Sequence, residues 1–186
     1  VPSLTEAKKL SAMAQPFREE MVRFGGWKIA VDGGPAAGTT LMYDATLPGA
    51  EDSYLFHTQE ELNDIVAMYH KEGYQVAFHV VGDRAVDMAL NSLEFALNMY
   101  PRKDHRHRLE HVVFPTQKNL QRIKELGAIV STTPQWIYDG GAAWPKFVGE
   151  EVSRRAIPVR TMLDMGIPLA FGSDVPATFS HKPQWA

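Results

Sequence analysis

The chain has 186 residues, 45% of them apolar and 22% charged, which is enough for a packed core and rules out a disordered or fibrous protein. The net charge is −3 with both signs mixed along the chain, so a nucleic-acid-binding face is not expected; Lys103–Arg108, interleaved with His105 and His107, reads as a solvated loop. There is no cysteine and no apolar run of about 18 residues, which removes disulfides, thiolate chemistry and a membrane span, and a reducing cytoplasmic setting is expected.

In chain order, residues 4–24 are predicted helical with a break at Pro16. Trp27–Val31 is a strand that runs into the turn Asp32-Gly33-Gly34. The Gly- and Pro-rich stretch from Gly33 to His57 is too long for an ordinary connection, and such loops usually serve function. Thr58-Gln59-Glu60-Glu61 is a capping box opening a helix whose apolar stripe is Leu62, Ile65, Val66 and Tyr69, ended by Gly73. Tyr74–Val81 is a strand. Asp83–Met99 is a helix with Asp83 as its N-cap, Arg108–Phe114 a strand, Thr116–Leu126 a helix, and Ala128–Thr132 a strand. A loop carries Trp136, Tyr138, Gly140, Gly141 and Trp144. Ser153–Met165 is a helix with Pro158 near its first turn, and Ile167–Phe171 a last strand.

Five strands separated by helical crossovers imply a parallel sheet, because an antiparallel pair needs only a hairpin. The expected class is α/β: one partial (β/α) barrel domain over residues 1–186, with about five parallel strands and flanking helices. Alternating βα units of this kind gather residues at the C-terminal ends of their strands into one mouth. Lys28, His79, His111 and Asp174 lie in or just after apolar strands. Singly, each has an ordinary explanation as a hydrogen-bonded core histidine, an outward lysine or a turn cap. Together they form a ligand set of imidazole and carboxylate suited to zinc or a similar divalent ion. A bound metal makes hydroxide available near neutral pH, and a neighbouring carboxylate such as Asp174 can take the water proton.

The blocks His79-Val80-Val81-Gly82-Asp83-Arg84-Ala85, Arg106-His107-Arg108-Leu109-Glu110-His111 and Gly172-Ser173-Asp174-Val175-Pro176, with Trp27-Lys28-Ile29-Ala30-Val31-Asp32-Gly33, resemble the amidohydrolase superfamily. The match is to its third family branch, which includes N-substituted formamide deformylases. The resemblance implies that Lys28 is a strand-four lysine, carbamylated in many members and bridging two metals. It makes His79 and His111 the strand-five and strand-six ligands and Asp174 the strand-eight aspartate that contacts metal and acts as general base. Trp136 and Tyr138 would line a substrate pocket, and Arg108 and Glu110 would be supporting residues. The family's strand-one His-X-His pair has no counterpart; His105-Arg106-His107 precedes a strand and is not that pair. The chain is thus expected to cover barrel strands four to eight.

These readings imply a metal-dependent hydrolase of amide-type C–N bonds in a small-molecule substrate, with one or two divalent ions, zinc being the expected metal. The alternative is a catalytically incomplete half-barrel that self-associates and binds metal weakly or not at all. With three barrel strands absent, the inner faces of Tyr74–Val81 and Ala128–Thr132 are expected to be apolar and to need cover, by a second copy or by the remainder of a barrel.

Overall fold

The structure, a computed structural model, describes residues 3–14, 25–44 and 55–175. The expected break at Pro16, the middle of the long loop and residues from Pro176 onward lie outside the described residues.

Five strands form one sheet in the order β1-β2-β3-β4-β5, every neighbouring pair parallel. They are β1 (Trp27–Ala30), β2 (Val76–Val80), β3 (Arg108–His111), β4 (Ile129–Thr132) and β5 (Leu169–Phe171). The helices are α1 (Leu4–Ala14), α2 (Gln59–Lys71), α3 (Asp83–Met99), α4 (Gln117–Glu125), α5 (Gln135–Gly140), α6 (Pro145–Arg154) and α7 (Val159–Asp164). The crossovers bring each strand beside its predecessor, as in one arc of a barrel. Among the described residues no helix is long and apolar enough to cross a membrane.

Strand alternation sorts the sheet into two faces. Ile29, Val76, Phe78, Val80, Leu109 and Val130 point to one side and pack with Leu62, Val66, Leu90, Leu93, Leu120 and Ile123 from α2, α3 and α4. By register the other side carries Lys28, Ala77, Arg108 and Ile129 in one layer, and Ala30, His79, Glu110, Ser131 and Ala170 in the next. This inner face is charged and polar, not the apolar surface expected from the sequence. The apolar residues of β2 and β4 are spent on the helix side.

Helix starts follow local chemistry. Thr58 caps α2 through the Glu61 amide, with Glu61 returning a bond to the Thr58 amide; Thr116 and Asn119 do the same for α4. Asp83 is not the N-cap of α3. Gly82 holds that position, and the Asp83 carboxylate instead accepts from the Tyr43 amide and pairs with Arg155 at 3.2 Å. The segment read as a loop around Trp136 and Trp144 is helical, folded over a second apolar cluster of Met42, Val81, Val113, Phe114, Trp144, Val148 and Ile157. That cluster sits beyond the C-terminal ends of β2 and β3 and walls the mouth.

Candidate metal-binding mouth

His79 stands on the inner face of β2, beside Ala30 and Glu110 in the neighbouring strands. His111 ends β3 opposite Val80, a position whose alternation faces the helices. Its ring nevertheless lies edge-on to His79, with centroids 4.6 Å apart. The backbone explains this: His111 (φ 74) and Val112 (φ 49) are both left-handed, and a β-branched residue adopts that conformation only under constraint. Such geometry costs about 1–3 kcal/mol per residue and collects at functional sites. Here it turns the imidazole out of the helix layer toward the mouth. The buried Thr132 hydroxyl holds the turn by donating to the His111 carbonyl at 2.7 Å.

Trp136 on α5 stacks on the other face of His111, centroids 4.5 Å apart and planes 12° from parallel. The Thr133 hydroxyl is 3.5 Å from His111 Nδ1. Tyr138 follows two residues later on the same helix, so it points away from Trp136, and it is 84% exposed. The two aromatics therefore do not form one wall among the described residues.

Burial pushes the His111 imidazole down to about 3, with the nearby His79 and Lys28 charges adding to the effect. Burial also lowers His79; the Gly33 carbonyl opposes this, Lys28 adds to it, and Asp174 and Glu110 oppose it. Both rings are thus neutral near pH 7 and carry a lone pair, the state in which imidazole binds a metal. The same influences bring Lys28, Glu110 and Asp174 electrostatically within range of the pair. Lys28 lies exposed one layer below His79. Glu110 is ion-paired with Arg108. Asp174, just beyond β5, is left-handed (φ 55) and half-buried. Among the described residues no three His, Asp or Glu side chains stand together closely enough to hold an ion. The groups whose state suits a divalent metal are the two neutral imidazoles; Lys28 and Asp174 act on His79 electrostatically.

Asp32, read from the sequence only as the start of a turn, is 1% exposed, and three backbone amides converge on it: Val81 at 2.9 Å, Gly82 at 2.9 Å and Leu41 at 3.1 Å. Burial pushes its carboxyl up to about 7 against the downward pull of those amides. An Asp before two glycines, at a strand end facing a long loop, was the available signal.

A profile of the amidohydrolase family matches residues 3–183. The chain is 29% identical over 160 residues to N-substituted formamide deformylase of Arthrobacter pascens and 28% identical over 159 residues to Protein LONG AFTER FAR-RED 3 of Arabidopsis thaliana. Each match covers 84% of this chain but only 29% and 27% of those proteins. An uncharacterized metal-dependent hydrolase from Pyrococcus furiosus superposes with a TM-score of 0.76 at 27% identity, over 91% of this chain and 36% of that one. The chain therefore spans about a third of the proteins it resembles.

Proposed function

Since the chain belongs to the amidohydrolase family, we propose that it is the metal-binding part of a hydrolase that cleaves amide-type C–N bonds of a small molecule with activated water. The observation that carries this is the pair of neutral imidazoles, His79 and His111, held 4.6 Å apart at the C-terminal ends of adjacent parallel strands by a left-handed turn. His79 and His111 would be the imidazole ligands of a divalent ion, with zinc the first to test and one or two ions held. Lys28, once carbamylated, would supply a carboxylate to it, and Asp174 would complete the set. When bound, the metal lowers the pKa of its water toward about 7.

This chain's residues do the rest. Asp174 takes the water proton and returns it to the leaving nitrogen as the C–N bond breaks. Trp136 fixes the plane of His111 and lines the substrate side of the mouth, whereas Tyr138 stands on the outer side of α5. The lack of cysteine is consistent with a cytoplasmic setting. The outer edges of β1 and β5, without a strand partner among the described residues, take either a second copy or the remaining strands of a barrel.

A second reading is an incomplete half-barrel without activity of its own. It is favoured by the absence, among the described residues, of a three-residue ligand cluster and by the short span relative to the relatives. Hydrolysis of N-substituted formamides and N-acyl amides by zinc-loaded protein separates the two. Metal-dependent turnover, lost on chelation and reduced about 10²–10⁴-fold in Asp174→Asn, supports the hydrolase. No turnover at full zinc occupancy supports the half-barrel.

A further inference from the structure

We propose that Asp32 is a positioning residue for His79: its carboxylate clamps the 33–41 loop so that the Gly33 carbonyl holds the imidazole as the Nε2–H tautomer and leaves Nδ1 bare. The inference rests on reading His79 as a ligand, but its evidence is independent of any metal. A carbonyl oxygen only accepts, and Gly33 O stands 3.3 Å from His79 Nε2, so that nitrogen carries the proton. The lone pair then falls on Nδ1, which is the nitrogen left free to bind a metal. A second hydrogen bond that fixes tautomer and ring orientation is the usual support of a metal-binding histidine.

The Gly33 carbonyl is itself held in place. Asp32 Oδ1 accepts from the Val81 amide, and Oδ2 accepts from both Gly82 and Leu41, joining the loop to the end of β2 two residues beyond His79. Leu41 is pinned a second time, its carbonyl accepting from the Ala85 amide at 3.4 Å. The loop closes on itself through the Gly33 amide to Thr39 O at 3.0 Å and the Gly34 amide to the Thr39 hydroxyl at 2.9 Å. There is no spare room. A Cβ on Gly33 would fall 1.9 Å from the Thr39 hydroxyl, and one on Gly82 would fall 2.0 Å from the Leu41 carbonyl oxygen. The chain from Asp32 to loop to Gly33 carbonyl to imidazole thus has no slack, and only a carboxylate satisfies its start. Asparagine has the same shape but puts an amide N–H₂ where an acceptor is needed, so at least one of the three backbone donors loses its partner.

The test is ¹⁵N-edited NMR of the imidazoles in metal-free protein, with Asp32→Asn as the variant and zinc affinity as the second readout. In the wild type, His79 is expected to show one protonated nitrogen, Nε2, and one bare nitrogen, Nδ1. In Asp32→Asn the two resonances move toward an averaged value and zinc affinity falls about tenfold. A wild-type ring that is predominantly Nδ1–H, or already averaged, overturns the proposal with no variant needed. So does a folded Asp32→Asn protein whose His79 tautomer is unchanged. If the tautomer responds as expected but zinc does not bind, the positioning role stands and the metal reading fails.

Discussion

At the residue scale, the site turns on a few side chains whose positions contradict simple alternation. His111 belongs by register with Leu109 on the helix side, and only the left-handed pair His111–Val112 brings it to the mouth. Its second support is the Trp136 ring. We predict that Trp136→Ala frees the imidazole and weakens zinc binding by about 10-fold, read by calorimetry, with Phe restoring much of the loss; unchanged affinity in the alanine variant would show the stack to be incidental. Gly82→Ala should destabilise the fold by about 2 kcal/mol or more in urea unfolding, because the new methyl meets backbone oxygen and not a flexible side chain. His79 and His111 stand out in the sequence because imidazoles in apolar strands are conspicuous. The kink does not, since His-Val-Val carries no glycine to announce a left-handed turn. Asp83 reads as a cap because an acidic residue at a helix start is normally that. The real demand on Asp83 comes from Tyr43 and Arg155, which are distant in the chain.

At the element scale, helix starts and strand starts are held by polar groups that can be tested one at a time. Thr58→Ala and Thr116→Ala should each cost about 1 kcal/mol in urea unfolding without changing the site. The first cap was legible as Thr-x-x-Glu, whereas the second uses Asn119 and falls outside that pattern. Helices α5 and α6 were missed because Gly140, Gly141, Pro145 and Gly149 look like loop residues. Burial of Trp144 and Val148 under Phe114 and Ile157 overrides them.

At the opposite end of the sheet, the Val76 amide donates to His107 Nδ1 at 2.8 Å. His107 Nε2–H donates to His70 Nδ1 at 2.8 Å, and His70 Nε2–H donates to the Tyr100 carbonyl at 2.6 Å. His105 stacks on His107, accepts its amide, and donates to the Leu126 carbonyl. The bonds in which His107 Nδ1, His70 Nδ1 and His105 Nδ1 accept need a bare ring nitrogen, which a protonated ring lacks. Burial pushes His107 down to about 2 and lowers His70, with Arg102 and His105 adding to the effect on both. The folded values lie below the unfolded one of 6.5, so the unfolded chain binds more protons as pH falls. This contribution to stability is complete above 6.5 and is lost below it, by up to about 1.4 kcal/mol per pH unit for each ring. Asp32, whose carboxyl is raised, works in the opposite sense over the same range. The cluster is therefore isolated by comparison with His107→Phe, whose urea midpoint should fall less steeply than wild type between pH 6.5 and 5. Equal slopes would remove the cluster from the account.

At the scale of the whole molecule, the parallel order β1 to β5 was legible because helical patterns separate the strands and parallel neighbours need crossovers. The polarity of the inner face was not, although the period of two that places Lys28, His79, Arg108, Glu110 and Ser131 there is written in the strands. Among the described residues β1 and β5 leave two strand edges without a partner and the inner face is charged, so association through edges is expected more than apolar collapse. Light scattering of dilute protein should give about twice the chain mass, following two-fold pairing, and a soluble, cooperatively unfolding monomer would contradict it. Whether His79 and His111 together hold a divalent ion is read by calorimetric titration of zinc into the wild type, His79→Ala, His111→Ala and His105→Ala. Binding is expected in the wild type and in His105→Ala, and its loss in both mouth variants. Zinc bound equally well by all four proteins would contradict it.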